Sequence, residues 1–185
     1  MNTPHQKKTA REIFFQNQQR KRPEIMRNLA LWLHNIRSLH NTGSAFRTAD
    51  GFGIGRLLLS GFTPFPPRPE ITKTALGAEE HVPWTYAHDA GEHQQWCRDN
   101  HYELVALEQT RQSRLLHRFR PVAGKRYCLL FGNEVSGVES GLLATADHVL
   151  EIPQFGRKHS LNISVTIGIA LYHFMAESYE AEHLP

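Results

Sequence analysis

Cysteine is scarce in this chain. Cys97 and Cys128 are its only two in 185 residues, too few for a disulfide framework, and both sit among apolar neighbours where thiols pack as small hydrophobes. Long apolar runs are absent too: no stretch approaches the ~20 residues that a membrane-spanning helix needs. The opening MNTPHQKKTAREIFF has no apolar segment followed by a small-residue cleavage site, which argues against a secretory leader. These absences lead us to expect a cytoplasmic protein without a membrane partner. Neither sign of charge is in large excess, since 21 Lys and Arg against 18 Asp and Glu leave a formal +3.

What is present is an ordinary folded composition, 40% hydrophobic and 21% charged, in a length that suits one domain. The positive charge is clustered. Lys7, Lys8, Arg11, Arg20, Lys21, Arg22 and Arg27 crowd the beginning, and Arg111, Arg114, Arg118 and Arg120 form a second group. Such clusters are the electrostatic footprint of phosphate-backbone binding, and equally the dress of a solvated helix face. Residues 1–27 read as a basic, helical extension with a small apolar patch at Ile13, Phe14 and Phe15; residues 28–185 read as the main domain.

Short apolar runs punctuate that domain. Leu29 to Leu33, Leu57 to Leu59, Val82 to Tyr86, Leu104 to Leu107, Tyr127 to Phe131 and Val149 to Ile152 predict six strands. Between them Ser44 to Phe52, Ala90 to Asn100 and Leu161 to Met175 predict helices, with Ser160 where an N-cap belongs. Strands alternating with helices predict an α/β fold on a mostly parallel sheet. Four prolines between Thr63 and Pro69 mark a loop.

Three segments could carry chemistry, each at the end of a predicted strand, where open α/β sheets bind ligands. The first runs from Asn35 to Asp50, turning through Asn41-Thr42-Gly43 into a helix that carries Arg47. A guanidinium there can grip phosphate or polarise a hydroxyl. The second is Gly132-Asn133-Glu134-Val135-Ser136-Gly137, whose glycines would let backbone approach a ligand. It is no phosphate loop, because the lysine and Ser/Thr pair is missing. The third is Ile152 to Ser164, where Ser160 would cap the long helix and Asn162 is an awkward early-helix residue. Taken singly, each also reads as plain turn and cap chemistry.

In order and spacing the three segments, N-x5-N-x-G-x3-R (Asn35, Asn41, Gly43, Arg47), G-N-E-x2-G (Gly132 to Gly137) and I-P-x6-S-L-N-x-S (Ile152 to Ser164), resemble the motifs of the SpoU/TrmH ribose methyltransferases of the SPOUT superfamily. The resemblance spans roughly residues 29 to 176. It implies a deep trefoil knot at the C-terminal end of the α/β fold, S-adenosylmethionine as cofactor, and a homodimer with its site completed across the interface. It further implies methyl transfer to a ribose 2′-hydroxyl of tRNA or rRNA, a small domain with a short extension favouring tRNA.

By the same resemblance Arg47 acts on the ribose hydroxyl, while Asn41, Glu134, Ser160 and Asn162 complete the catalytic set. The cofactor would meet Leu107, Glu108, Gly132, Gly137, Ile152, Ser160 and Leu161. RNA would meet Asn35, Arg47, Arg111, Arg114, Arg118, Lys7, Lys8 and Arg11. A guanidinium holds its proton too tightly to be an ordinary general base, so electrostatic activation of the hydroxyl is the expected role. The family often has alanine where this chain has Thr166, a change expected not to touch chemistry. Two other readings stand beside this one: an RNA-binding protein that keeps the fold without turnover, and a base-methylating relative. His93, Cys97 and His101, with His88 nearby, share helical spacing but lack the tight four-ligand clustering of a zinc site, so no metal is expected.

Overall fold

The run Leu29–His34 (β1) is apolar at nearly every position, and all six of its residues are buried, as a parallel strand covered on both faces must be. It lies inside a sheet with β2 (Arg56–Ser60), β3 (Trp84–Ala87), β4 (Tyr102–Leu107), β5 (Arg114–Leu115), β6 (Arg126–Phe131) and β7 (His148–Glu151). In the computed structural model, which describes residues 5–183, the order is β3-β2-β1-β6-β4-β7-β5 and every named pair is parallel. The sheet therefore has seven strands where six were expected. The addition, β5, is two residues long, too short to leave a hydrophobic pattern. Val82 is not in β3; it closes a short turn by donating to the Ala78 carbonyl oxygen.

Alternate side chains along the strands feed two cores. Leu31, Leu33, Leu57, Leu59, Leu129 and Phe131 meet Phe46 and Ala49 of α3 (Leu39–Phe52), Ile71 of α4 (Pro69–Ala75), and Ile167, Leu171 and Phe174 of α7 (Ile163–His183). On the other face Ala30, Trp32, Leu58, Ala106, Cys128 and Leu130 meet Cys97 of α5 (Ala90–Asp99) and Leu142 of α6 (Ser140–Leu143). Both cysteines are free and buried; burial, then the neighbouring Cys97, push the Cys128 thiol well up. Burial places both in packing, not reactivity. His93 of the metal candidates is buried, its Nε2 2.9 Å from the Leu59 carbonyl oxygen. Among the described residues no group of three or more His, Cys, Asp or Glu could hold a metal ion, and no helix is long and apolar enough to cross a membrane.

The extension contains α1 (Ala10–Gln19), capped by Thr9 and Glu12 in a reciprocal box and burying none of its residues. The body begins earlier than residue 28. In α2 (Glu24–Arg27) Ile25 and Met26 belong to the larger core, and the Arg22 guanidinium donates to the Gly53 carbonyl oxygen at 2.8 Å.

Helix α3 also starts earlier than its sequence suggested. Ser38 caps it by accepting the Asn41 N–H, so Asn41-Thr42-Gly43 is helical and not a turn. Gly43 is there because α4 crosses at that point: a Cβ would lie 2.5 Å from the Ile71 carbonyl oxygen and 2.0 Å from Thr74 Oγ1. Gly43→Ala is expected to destabilise the protein by about 1–3 kcal/mol, seen as a lower urea midpoint at unchanged slope; an unmoved midpoint would mean that α4 has room to shift.

Candidate active site

In a parallel sheet every strand delivers its following loop to the same edge. Here β1, β6, β4 and β7 end side by side, so the segments after His34, Phe131, Leu107 and Glu151 are neighbours in space. Asn35 makes the first turn with φ of 57°, a left-handed conformation that asparagine tolerates. Its side-chain oxygen accepts the Phe62 N–H, and its amide donates to Glu139 at 2.7 Å and lies 3.0 Å from His34 Nε2.

Glu134 joins the first two segments. Its carboxylate accepts N–H groups from Arg37 at 2.8 Å and Ser38 at 3.2 Å, and the Asn41 amide at 2.9 Å. Burial alone pushes this carboxyl up, but the Arg37 N–H, the Asn41 amide, its own N–H and the Ser38 N–H together outweigh it and hold the group below its ordinary value. The Asn162 amide then donates to Asn41 Oδ1 at 3.3 Å. Asn162, Asn41 and Glu134 thus form one hydrogen-bonded line through all three segments.

Glycine in the second segment serves the loop itself. Asn133 and Gly137 exchange backbone hydrogen bonds, folding the loop so tightly that a Cβ on Gly132 would lie 2.3 Å from the backbone of Gly137 and Val138. Glu108 Oε2 accepts the Val138 N–H at 2.8 Å and would lie 2.2 Å from a Cβ on Gly137. The Asn133 amide donates to the Asn35 carbonyl oxygen at 2.7 Å, and its side-chain oxygen accepts N–H groups of Val135 and Ser136.

Between these loops opens a cavity of about 690 Å³, within the ~300–1,000 Å³ usual for small-molecule sites. Leu107, Glu108, Gly132, Gly137, Ile152, Ser160 and Leu161 all line it, with Glu134 and Asn162. Ser160 is exposed and does not cap the helix. Asn162 does, its side-chain oxygen accepting the Ser164 N–H at 2.9 Å and its carbonyl the Thr166 N–H, so a cap explains the residue that looked awkward. Thr166 lines the cavity as well, although its hydroxyl turns back to the Asn162 carbonyl oxygen at 3.1 Å.

Arg47 is exposed on α3, does not line this cavity, and its guanidinium has no hydrogen-bond or ion-pair partner among the described residues. Arg111 and Arg118 are exposed, whereas Arg114 lies over the Phe119 ring and donates to the Arg118 carbonyl oxygen. Lys7, Lys8 and Arg11 are exposed on and before α1.

Sequence reasoning missed a second line of contacts. The Trp32 indole donates to Ser60 Oγ, Ser60 Oγ lies 2.7 Å from His34 Nδ1, and His34 Nε2 lies 3.1 Å from Glu139. His34, Ser60 and Glu139 are lone polar residues at a strand or helix end, and Trp32 is one more large residue in an apolar run, which leaves no spacing to recognise. Gln109 was missed too; it lines the cavity and donates to the His159 carbonyl oxygen at 2.7 Å.

The family model described as the SpoU rRNA Methylase family matches residues 28–172. The chain belongs to that family. It is 27% identical over 157 residues to the tRNA (guanosine(18)-2′-O)-methyltransferase of Thermus thermophilus, covering 83% of this chain and 77% of that protein. It is 27% identical over 143 residues to a 23S rRNA (guanosine-2′-O-)-methyltransferase of Neisseria meningitidis, 77% of this chain and 56% of the relative. The crystal structure of an AdoMet-bound rRNA methyltransferase from Sinorhizobium meliloti superposes with a TM-score of 0.74 at 28% identity, over 85% of this chain and 57% of that one.

A carboxyl held below its unfolded value contributes stability above that value and loses it as pH falls through the folded one. Wild-type protein is therefore expected to lose thermal stability on acidification from just above 4.5, the ordinary value for Glu134. Glu134→Gln, which sets an amide against the Arg37 and Ser38 donors, should melt lower at pH 7 and converge on wild type in acid. A gap in Tm that stays constant down to pH 3 would show that the carboxylate is not what the donors need.

Proposed function

We propose that this protein transfers the methyl group of S-adenosylmethionine to a ribose 2′-hydroxyl of tRNA or rRNA. The observation that carries the proposal is one cavity at the sheet edge, lined by the second and third segments and tied to the first where Asn41 bonds Glu134 and Asn162, in a chain that belongs to a methylase family. The lining fits the cofactor: Leu107, Phe131, Ile152 and Leu161 offer apolar surface to a purine, and Glu108 and Glu151 offer carboxyl groups to a cationic chain. When bound, S-adenosylmethionine supplies an electrophilic methyl that already carries its leaving group.

The chain's own task is then to hold a ribose oxygen in line with that methyl and ease its proton away; alignment of this kind supplies up to about 7–11 kcal/mol. Arg47 is the group we assign to the hydroxyl, its guanidinium stabilising developing negative charge on oxygen. Asn41, Glu134 and Asn162 hold the loops around it, and Ser160 presents a free hydroxyl at the cavity mouth. Because Arg47 does not line its own chain's cavity, we assign it to the cavity of a second copy in a homodimer. Support for that dimer comes from α7, where Val165, Ile169 and Tyr172 stand 49%, 38% and 61% exposed along one helical face. A trefoil knot and cytoplasmic placement belong to the same proposal, supported by family membership and by two free thiols.

The test is transfer of radiolabelled methyl into total tRNA and, separately, rRNA, followed by digestion to nucleosides. Label is expected in a 2′-O-methyl nucleoside; label in a base, or in neither RNA, would overturn the proposal. Arg47→Ala is expected to abolish transfer with cofactor affinity kept. Mixed with Ile152→Arg, which fills the cavity, it should regain part of the activity; no recovery would place Arg47 and cavity in one copy.

Lys7, Lys8 and Arg11 are assigned to RNA phosphates, with Arg111, Arg114 and Arg118; Asn35, whose amide is taken by Glu139 and His34, is assigned to shaping the turn that the RNA meets. Deleting residues 1–20, which leaves Arg22 and α2 in place, should weaken RNA binding and flatten its salt dependence. An unchanged salt slope would remove the extension from the RNA interface.

A further inference from the structure

Phe62 stands in the open beside the Asn35 turn, outside all the assigned roles. The residue is 60% exposed. A single exposed ring is ordinary on a protein surface; what sets this one apart is its frame. The Phe62 N–H donates to Asn35 Oδ1 at 3.1 Å, and the buried Thr63 hydroxyl accepts the Ile36 N–H at 3.0 Å while donating to the Leu33 carbonyl oxygen at 3.1 Å. The Tyr86 hydroxyl donates to the Gly61 carbonyl oxygen at 2.7 Å. Phe65 lies against Tyr86 at 4.3 Å between ring centroids, and Pro64, Pro66, Pro67 and Pro69 restrict the backbone between Phe62 and α4. The loop is thereby fastened to the turn that holds Asn35.

The surrounding charge is suited to nucleic acid. Arg37, next to the bonded Ile36, and Arg68, at the far end of the loop, are exposed, and neither guanidinium has a hydrogen-bond or ion-pair partner among the described residues. The nearby Glu139 carboxylate is already taken by Asn35 and His34.

We infer that Phe62 is a stacking platform for an unstacked base of the substrate RNA, flanked by Arg37 and Arg68 as phosphate contacts. The inference rests on the methyltransferase proposal, since an RNA whose ribose enters the sheet edge must open its stack there. An aromatic face replaces the lost base stacking irrespective of sequence, and a platform already fixed in place loses little entropy on binding.

Phe62→Ala, Phe62→Leu and Phe62→Trp are compared for binding of total tRNA and rRNA and for methyl transfer into whichever is modified. Alanine and leucine should each weaken RNA binding about five- to a hundredfold, the loss in transfer falling on KM for RNA rather than on kcat, with cofactor affinity kept. Tryptophan should restore both. Wild-type RNA affinity in the alanine variant overturns the inference. So does rescue by leucine equal to that by tryptophan, because an apolar contact with a second copy would be satisfied by either; sedimentation would then show the change in assembly. If wild type binds RNA without methylating it, the enzymatic proposal fails while the binding comparison still decides the role of Phe62. Absence of any RNA binding overturns both.

Discussion

Where four parallel strands end side by side, their loops bring backbone N–H groups that no ladder satisfies, and each left buried and unpaired would cost about 1–3 kcal/mol. At this edge one carboxylate takes up two of them. Glu134 accepts the N–H groups of Arg37 and Ser38 and the Asn41 amide, so the loop after β6 cannot move without unpairing the start of α3. Asn162 extends the same line to the start of α7, and Glu108 ties the loop after β4 to Val138. The walls of the cavity are held by these few side chains together with the apolar packing of Leu107, Phe131, Val138 and Leu150.

That arrangement reconciles two demands on a group-transfer site. The floor is rigid, because β1 and β6 are buried between two cores, while an open cavity of about 690 Å³ lies beside it. On the assignment proposed for Arg47, the charge used in chemistry is kept separate from the charge used in structure. Glu134 is saturated by donors, whereas Arg47 stands unpaired on the outer surface of α3. A guanidinium without a partner among the described residues is available to a phosphate or hydroxyl at no cost to the fold. The same division recurs at the neighbouring loop, where Thr63 is buried and bonded and Phe62 is left free.

The strands were legible because central parallel strands are continuous apolar runs, and Leu29 to Leu33 and Tyr127 to Phe131 are of that kind. β5 was not, since a two-residue strand exists only through its register with Leu150 and Glu151. Asn41-Thr42-Gly43 has the composition of a turn, yet Ser38 caps the helix ahead of it and Gly43 answers to the crossing of α4. Ser160 looked like the cap of the last helix by residue type; Asn162 holds that position by geometry. Both errors have one origin, because residues favoured in turns and caps are also those needed where two backbones touch.

The amino-acid sequence by itself determined the class of fold, through apolar runs alternating with helical stretches, and the chemistry at stake, through three short segments of defined residue types and spacing. It singled out Glu134, Asn41 and Asn162, each in a different segment. Only the tertiary structure decided how they act together. Asn41 and Glu134 are 93 positions apart and Asn41 and Asn162 are 121 apart, and no local preference reports a hydrogen bond over such separations. The placement of Arg47 outside its own cavity and the fastening of Phe62 to the Asn35 turn were likewise settled in three dimensions, because exposure is a property of everything packed around a residue and not of the residue itself.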